Sequence, residues 1–325
     1  MPAATARQDS SSRTRLIRLA LGALVRRAPG GSSLLRLRRR SVAATRRRVK
    51  PVRPPLNLPE EIGSLSAAPL DHPFITGNGL AARCRYVINY DDLVVNADVE
   101  NDWWFCRSDF LEYFFAEHEP KGEFVLFSHN SDRAIDRSLS RFLRRRALRA
   151  WFATNAATLH PKLRAFPCGI ANPKWPHGNG AAIARVQSAM PDKTNLFDAS
   201  YDVSTFPPAR EYCRDQTGIE PAPRQDFDQY LHTLASSYFC IAPRGHGIDT
   251  HRIWEALYLR TIPIVTRSVL TEQHPDLPMI VLDDWAEFRR MEFSPDVYAE
   301  TFGDWQPEAL NLGKYMAQVE AILVR

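Results

Sequence analysis

From about residue 60 onward, short apolar runs alternate with stretches of helical spacing, and this alternation restricts the chain to few folds. Tyr86-Val-Ile-Asn-Tyr90, Glu123-Phe-Val-Leu-Phe-Ser128 and Ala150-Trp-Phe-Ala-Thr154 have the length and composition of buried strands bounded by polar turns. Between the last two, Ser131 to Arg149 has helical spacing with a basic face. A second series follows Pro191. Strands are predicted at Asn195 to Tyr201, Tyr238 to Ala242, Ile262 to Thr266 and Met279 to Leu282. Helices are predicted at Pro208 to Thr217, Asp226 to Ser236, Thr250 to Leu259 and near Leu310 to Leu323. Apolar strands alternating with helices make a parallel sheet covered on both sides, so the expected class is α/β.

Two such series predict two Rossmann-like domains, and 325 residues are enough for two ordinary cores. The expected organisation is a tail over 1–58, a first domain over 59–185 and a second over 186–325. The boundary is placed in the Pro- and Gly-containing stretch between Asn172 and Pro191.

The net charge of +5 belongs to the tail. Residues 1–58 hold fourteen Arg, one Lys and a single acid, Asp9, which leaves 27 basic and 36 acidic residues, a net of −9, for the rest. A basic pI is therefore no argument that the body binds nucleic acid, and no nucleic-acid partner is expected. Within the tail, Leu16 to Val25 is ten residues long and interrupted by Arg18, too short and too charged to span a bilayer. A disordered basic tail, an amphipathic segment on an anionic membrane surface and an organelle transit peptide all fit it. Five widely spaced cysteines form no CxxC pair, which speaks against a zinc site or a disulfide framework and for a reducing compartment. The expected location is cytoplasmic or membrane-peripheral, with organelle targeting left open.

The chemistry concentrates in one segment, Ser236-Ser-Tyr-Phe-Cys-Ile-Ala-Pro-Arg-Gly-His-Gly-Ile-Asp-Thr-His-Arg-Ile-Trp-Glu-Ala-Leu257. A buried strand runs through a loop with Gly245 and Gly247 into a helix that Asp249 or Thr250 caps. Glycine lets a ligand approach the backbone closely, and the free N–H groups and dipole of a helix start favour an anion such as a diphosphate. Arg244 adds a guanidinium there. Arg252 and Glu255, three apart on one helix face, stand near the same mouth, where a carboxylate can accept from both hydroxyls of a ribose. The competing reading is a tight turn with Arg252 and Glu255 as a surface ion pair.

Phe239 to Val265 resembles the donor-binding stretch of exostosin-like glycosyltransferases (glycosyltransferase family 47 type), whose two-domain architecture is termed GT-B. Weaker similarities are Phe127-Ser-His-Asn-Ser-Asp132, Trp151-Phe-Ala-Thr-Asn155 and Phe166-Pro-Cys-Gly-Ile170, so the likeness covers about residues 120–290. The resemblance implies a nucleotide-sugar donor, with Arg244 on its diphosphate, Glu255 on its ribose and Arg210 as a second phosphate ligand. It further implies transfer to a hydroxyl of a glycan or other acceptor, without a metal or other cofactor. Such enzymes usually carry Gly where this chain has Arg260, which puts that turn's geometry in question.

Catalysis with inversion needs a general base on the acceptor hydroxyl. His129 and Asp132, at a predicted strand end, are the candidates, although Asp132 as a helix cap and His129 as an ordinary loop residue fit equally well. Trp103, Trp104 and Tyr113 are candidates for stacking on an acceptor sugar, or core residues. The paired acids Asp91-Asp92 and Asp283-Asp284 read as helix starts or turns rather than metal ligands. Two alternatives stand beside this reading: a fucosyltransferase-like GT-B enzyme, and a non-catalytic nucleotide- or sugar-binding module of polysaccharide assembly.

Overall fold

The computed structural model describes residues 73–89 and 93–324, so the Arg-rich tail and Asp91-Asp92 lie outside the described residues. The first strands are β1 Tyr86–Ile88, β2 Val94–Val95, β3 Trp103–Arg107, β4 Phe124–His129, β5 Leu148–Ala153 and β6 Leu163–Ala165. They form a six-stranded mixed sheet in the order β2-β1-β3-β4-β5-β6, in which only β2 runs antiparallel to its neighbour. The second sheet is wholly parallel, in the order β10-β9-β8-β7, from β7 Asn195–Asp198, β8 Ser237–Ile241, β9 Ile262–Thr266 and β10 Ile280–Leu282. The helices are α1 Gly77–Ala81, α2 Leu111–Tyr113, α3 Gly180–Ala189, α4 Pro207–Thr217, α5 Phe227–Ala235, α6 His251–Tyr258, α7 Val269–Gln273, α8 Pro295–Phe302 and α9 Leu312–Val324. The chain is thus α/β, and the described residues belong to one compact unit.

Apolar continuity along the strands follows from burial on both faces. In and just after β8, Phe239 and Ile241 enter one core with Ile262, Ile264, Trp285, Phe288 and Phe302, while Cys240 and Ala242 enter another with Leu231, Leu234, Ala256 and Leu257. That second core is continuous with the residues under the six-stranded sheet, from Phe74 to Phe166. Polar bonds reinforce the junction. Gln273, at the end of α7, accepts from the Ala165 N–H (2.7 Å) and donates to the Leu163 carbonyl (3.2 Å) of edge strand β6. Tyr258 of α6 accepts from the Ile75 N–H and donates to the Leu310 carbonyl, both at 2.9 Å.

One local expectation changes, and three points that the sequence left open take a definite form. Ser131 to Arg149 contains a 3-10 turn at Ser140–Arg144 but no α-helix. Its early residues are drawn elsewhere: Ser131 bonds to Asp109, Arg133 forks onto Glu112, and Ile135 pairs with Ala156. Trp103 and Trp104 belong to β3, where Trp104 stacks on Tyr86 (4.4 Å between centroids) and Trp103 packs near Phe127, so of the two readings they take the core one and do not line the cleft. The Pro- and Gly-containing stretch before Pro191 holds a helix, α3, whose start is capped by Asn179. Finally, Arg260 takes the left-handed conformation (φ 58°) that glycine usually supplies. Thr261 N–H bonds to Ala256 O at 2.8 Å and Arg260 N–H to Leu257 O at 3.2 Å, a complete Schellman ending achieved with a strained residue, at about 1 kcal/mol.

All five cysteines are buried free thiols. Among the described residues no helix is long and apolar enough to cross a membrane, and no cluster of three or more His, Cys, Asp or Glu is placed to hold a metal ion.

Candidate functional site

In parallel sheets the loops that follow the strands gather at one end, and here those of both sheets gather at the same place. A cleft of about 1520 Å³ is lined by Arg107 and Asp109 at and after the end of β3, and by His129 to Arg133 at and after the end of β4. Thr154 and Asn155 after β5, Cys168 to His177 after β6, Ser200 to Thr205 after β7 and Gly245 to Glu255 after β8 also line it, together with Arg210 of α4 and Tyr230 of α5. A smaller and more open groove beside α5, around Asn179 and Asp226, holds no comparable set of converging charged groups.

On the wall formed by the second sheet, Arg210 of α4 is only 8% exposed. Its guanidinium donates to two backbone carbonyls, Arg244 O (3.1 Å) and Asp202 O (2.5 Å), and no carboxylate of a described residue forms an ion pair with it, although the Asp202 charge is near. Burial and the nearby Arg252 lower its proton affinity. A Cβ added at Gly245 would come within 3.3 Å of Arg210 Nη2, so this glycine keeps the guanidinium open to the loop. Arg244, expected at the diphosphate, does not line the cleft. It lies over the Phe206 ring (5.0 Å) and bonds to the Gly245 and His246 carbonyls of its own loop.

Arg252 and Glu255 are not the surface pair considered from their spacing. Arg252 pairs with fully buried Asp198 (3.2 Å), donates to Ser200 O and lies over the Tyr230 ring. Burial works against its charge, but Tyr230, Cys240, Asp198 and Glu255 hold it above the usual guanidinium range. Glu255 is buried and accepts from Tyr230 Oη at 2.6 Å through one oxygen, which leaves the other for a ligand. Tyr230 and Asp198 carry no motif and were not singled out from sequence.

Asp249 and Thr250 divide the capping role differently from expectation. Thr250 is the N-cap of α6 but makes no side-chain cap bond, and its Oγ1 is buried without a partner. Asp249 instead joins the two sheets. Its Oδ2 accepts from the Cys168 N–H (2.7 Å), its Oδ1 from Trp254 Nε1 (2.7 Å), and its own N–H donates to Asn155 Oδ1 (2.9 Å). Burial pushes the Asp249 carboxyl up to about 6. Asn155, left-handed at φ 55°, also donates to Ser131 O, and Gly247 lies so close that a Cβ would sit 2.9 Å from Asn155 Oδ1. The loop of the second sheet is therefore built against the first.

On the opposite wall, Asp132 is exposed, and no described residue bonds to its carboxylate. His129 is buried, with both nitrogens in use: Nδ1 accepts the Asn130 N–H (2.7 Å) and Nε2 lies 3.3 Å from Pro167 O, to which it donates. Burial, then the charge of His251, brings its pKa down to about 4. Compared with known proteins, the chain matches no protein-family model and no curated protein.

The His129 shift has a measurable consequence. A histidine lowered from 6.5 to about 4 on folding contributes stability that is complete above pH 6.5 and lost as the pH falls toward 4. Asp249, raised from 3.8 to about 6, works in the opposite sense, because the folded protein keeps a proton there that the unfolded chain has released. Urea unfolding at pH 7 and pH 5 should show that His129→Gln loses less stability between the two than the parent, by about 1–2 kcal/mol. Equal losses would mean that His129 takes up a proton in the folded state freely.

Proposed function

We propose that the cleft binds a nucleotide sugar and transfers its sugar to a hydroxyl of a glycan or other acceptor, in the manner of a GT-B glycosyltransferase. In this reading the two sheets are the cores of two Rossmann-like domains, the first presenting the acceptor and the second holding the donor.

The observation that carries the proposal is Arg210, a buried guanidinium in the cleft wall held by backbone carbonyls, with no described carboxylate in ion-pair contact and only the longer-range charge of Asp202 to offset its own. A buried cation without a paired acid is expensive unless an anionic ligand completes it. Beside it, the first turn of α6 lacks a side-chain cap and Thr250 Oγ1 lacks a partner, so helix start and hydroxyl both await an acceptor group. A diphosphate satisfies all three. Glu255, one turn into α6, then meets the ribose. The departing charge is neutralised by Arg210 and the helix start, so transfer proceeds without a metal and should survive EDTA.

A thermal-shift panel of UDP, GDP, CDP and their sugars tests the binding step. The nucleotide that fits should add about 2.7 kcal/mol of stability at 100 times its dissociation constant. No shift with any of them would remove the donor site.

A further inference from the structure

A proton acceptor stands at the first residue of α6. His251 is half-buried and lines the cleft, and its Nδ1 lies 2.7 Å from the Gly169 carbonyl oxygen. A carbonyl only accepts, so Nδ1 carries the hydrogen of the neutral ring and Nε2 carries the lone pair. No described residue bonds to Nε2. His129 offers no such atom, since Nδ1 takes an N–H and Nε2 gives its hydrogen to Pro167 O.

Position separates His251 from Asp132. The anomeric carbon of a nucleotide sugar is bonded to the diphosphate and the acceptor oxygen attacks it from the opposite face, so a base acting there must lie within reach of the start of α6 but on the side of the first-sheet wall. His251 adjoins Thr250 at that start, while its ring is fastened to Gly169 of the opposite wall. Asp132 is exposed on the first-sheet side. The groups around the imidazole are His129, His177 (6.3 Å between ring centroids), Cys168 Sγ (3.6 Å from Nδ1), Asp249 and, one turn on, Glu255.

We infer that His251 Nε2 is the general base of the transfer, a role that rests on the glycosyl-transfer reading. The acceptor O–H bond breaks and its proton goes to Nε2, while the acceptor oxygen bonds to the anomeric carbon. The bond from that carbon to the diphosphate oxygen breaks, and its electron pair leaves with the nucleoside diphosphate. The imidazolium then returns the proton to water. Displacement in one step inverts the anomeric configuration.

His251→Asn separates the base from its anchor, because the Asn amide can still donate to Gly169 O but has nothing at the place of Nε2. Full-length parent and variant are compared on UDP-glucose, UDP-N-acetylglucosamine, UDP-glucuronate and GDP-fucose, with water and simple glycosides as acceptors. The expected result is nucleoside diphosphate affinity within about threefold of the parent, turnover lower by about 10²- to 10⁴-fold, and loss of the acid limb of kcat/KM. The parent's product should be inverted. Without relying on turnover, diethyl pyrocarbonate should modify His251 and spare His129, and UDP or GDP should slow the modification. Near-parental turnover in His251→Asn, a retained configuration, or an acid limb lost only in Asp132→Asn overturns the role while leaving the transfer reading intact. A parent that binds none of these nucleotides overturns both.

Discussion

Asp249→Ala is expected to destabilise the folded chain by about 2–5 kcal/mol. The carboxylate accepts two hydrogen bonds from buried donors, the Cys168 N–H and the Trp254 indole, and alanine leaves both without an acceptor. Each orphaned donor costs about 1–3 kcal/mol. Part of that loss is offset, because a carboxyl raised to about 6 by burial is held ionised at neutral pH at some expense, which the variant no longer bears. Cys168 belongs to the wall of the first sheet and Asp249 to the loop after β8, so the same change should loosen the joint between walls. Urea denaturation measures the first effect and nucleotide titration the second. A loss below about 1 kcal/mol with unchanged ligand affinity would show that the joint is held elsewhere.

Arg210→Ala should weaken a nucleoside diphosphate by about 10- to 150-fold while leaving the bare nucleoside nearly unaffected, and Arg244→Ala should change neither by more than about threefold. A charge-assisted bond to phosphate contributes about 1.5–3 kcal/mol, which sets the scale of the first effect. Arg244 makes its contacts with its own loop and with Phe206, away from the cleft, which accounts for the second. Arg210→Gln serves as the companion variant, since an amide can still donate toward the Asp202 and Arg244 carbonyls without carrying charge. Equal losses from Arg210 and Arg244 variants in calorimetric titration would return the diphosphate to the outer loop.

Much of the second sheet was legible from sequence because its two central strands are buried on both faces and read as unbroken apolar runs, as in Phe239 to Ala242 and Ile262 to Val265. The helices around them carried ordinary start signals, such as Asp226 before α5. The first sheet was harder to read. β3 is two tryptophans, Phe105 and Cys106 before an arginine, and aromatic residues fit a binding surface as well as a strand. The basic spacing of Ser131 to Arg149 suggested a helix because sequence does not show that Asp109 and Glu112, about twenty residues earlier, claim Ser131 and Arg133.

In the site, the Pro-Arg-Gly-His-Gly loop and Glu255 stood out by spacing, and the structure brings Gly245, Gly247, Asp249, Thr250, Arg252, Glu255, Arg210, His129 and Asp132 to one cleft. The roles of individual side chains were not legible, because they depend on partners far along the chain. Asp249 pairs across 81 residues with Cys168, Arg252 across 54 with Asp198, and His251 across 82 with Gly169. No local pattern marks such pairs.

The most direct test of sugar transfer is release of nucleoside diphosphate from a nucleotide sugar by the full chain in EDTA, followed together with the fate of the sugar. The account predicts stoichiometric release with the sugar on a hydroxyl oxygen, of water or of an added glycoside, and a rate that collapses in Arg210→Ala. Nucleotide-sugar binding with no release of diphosphate from any donor in the panel would contradict it and leave a binding module in its place.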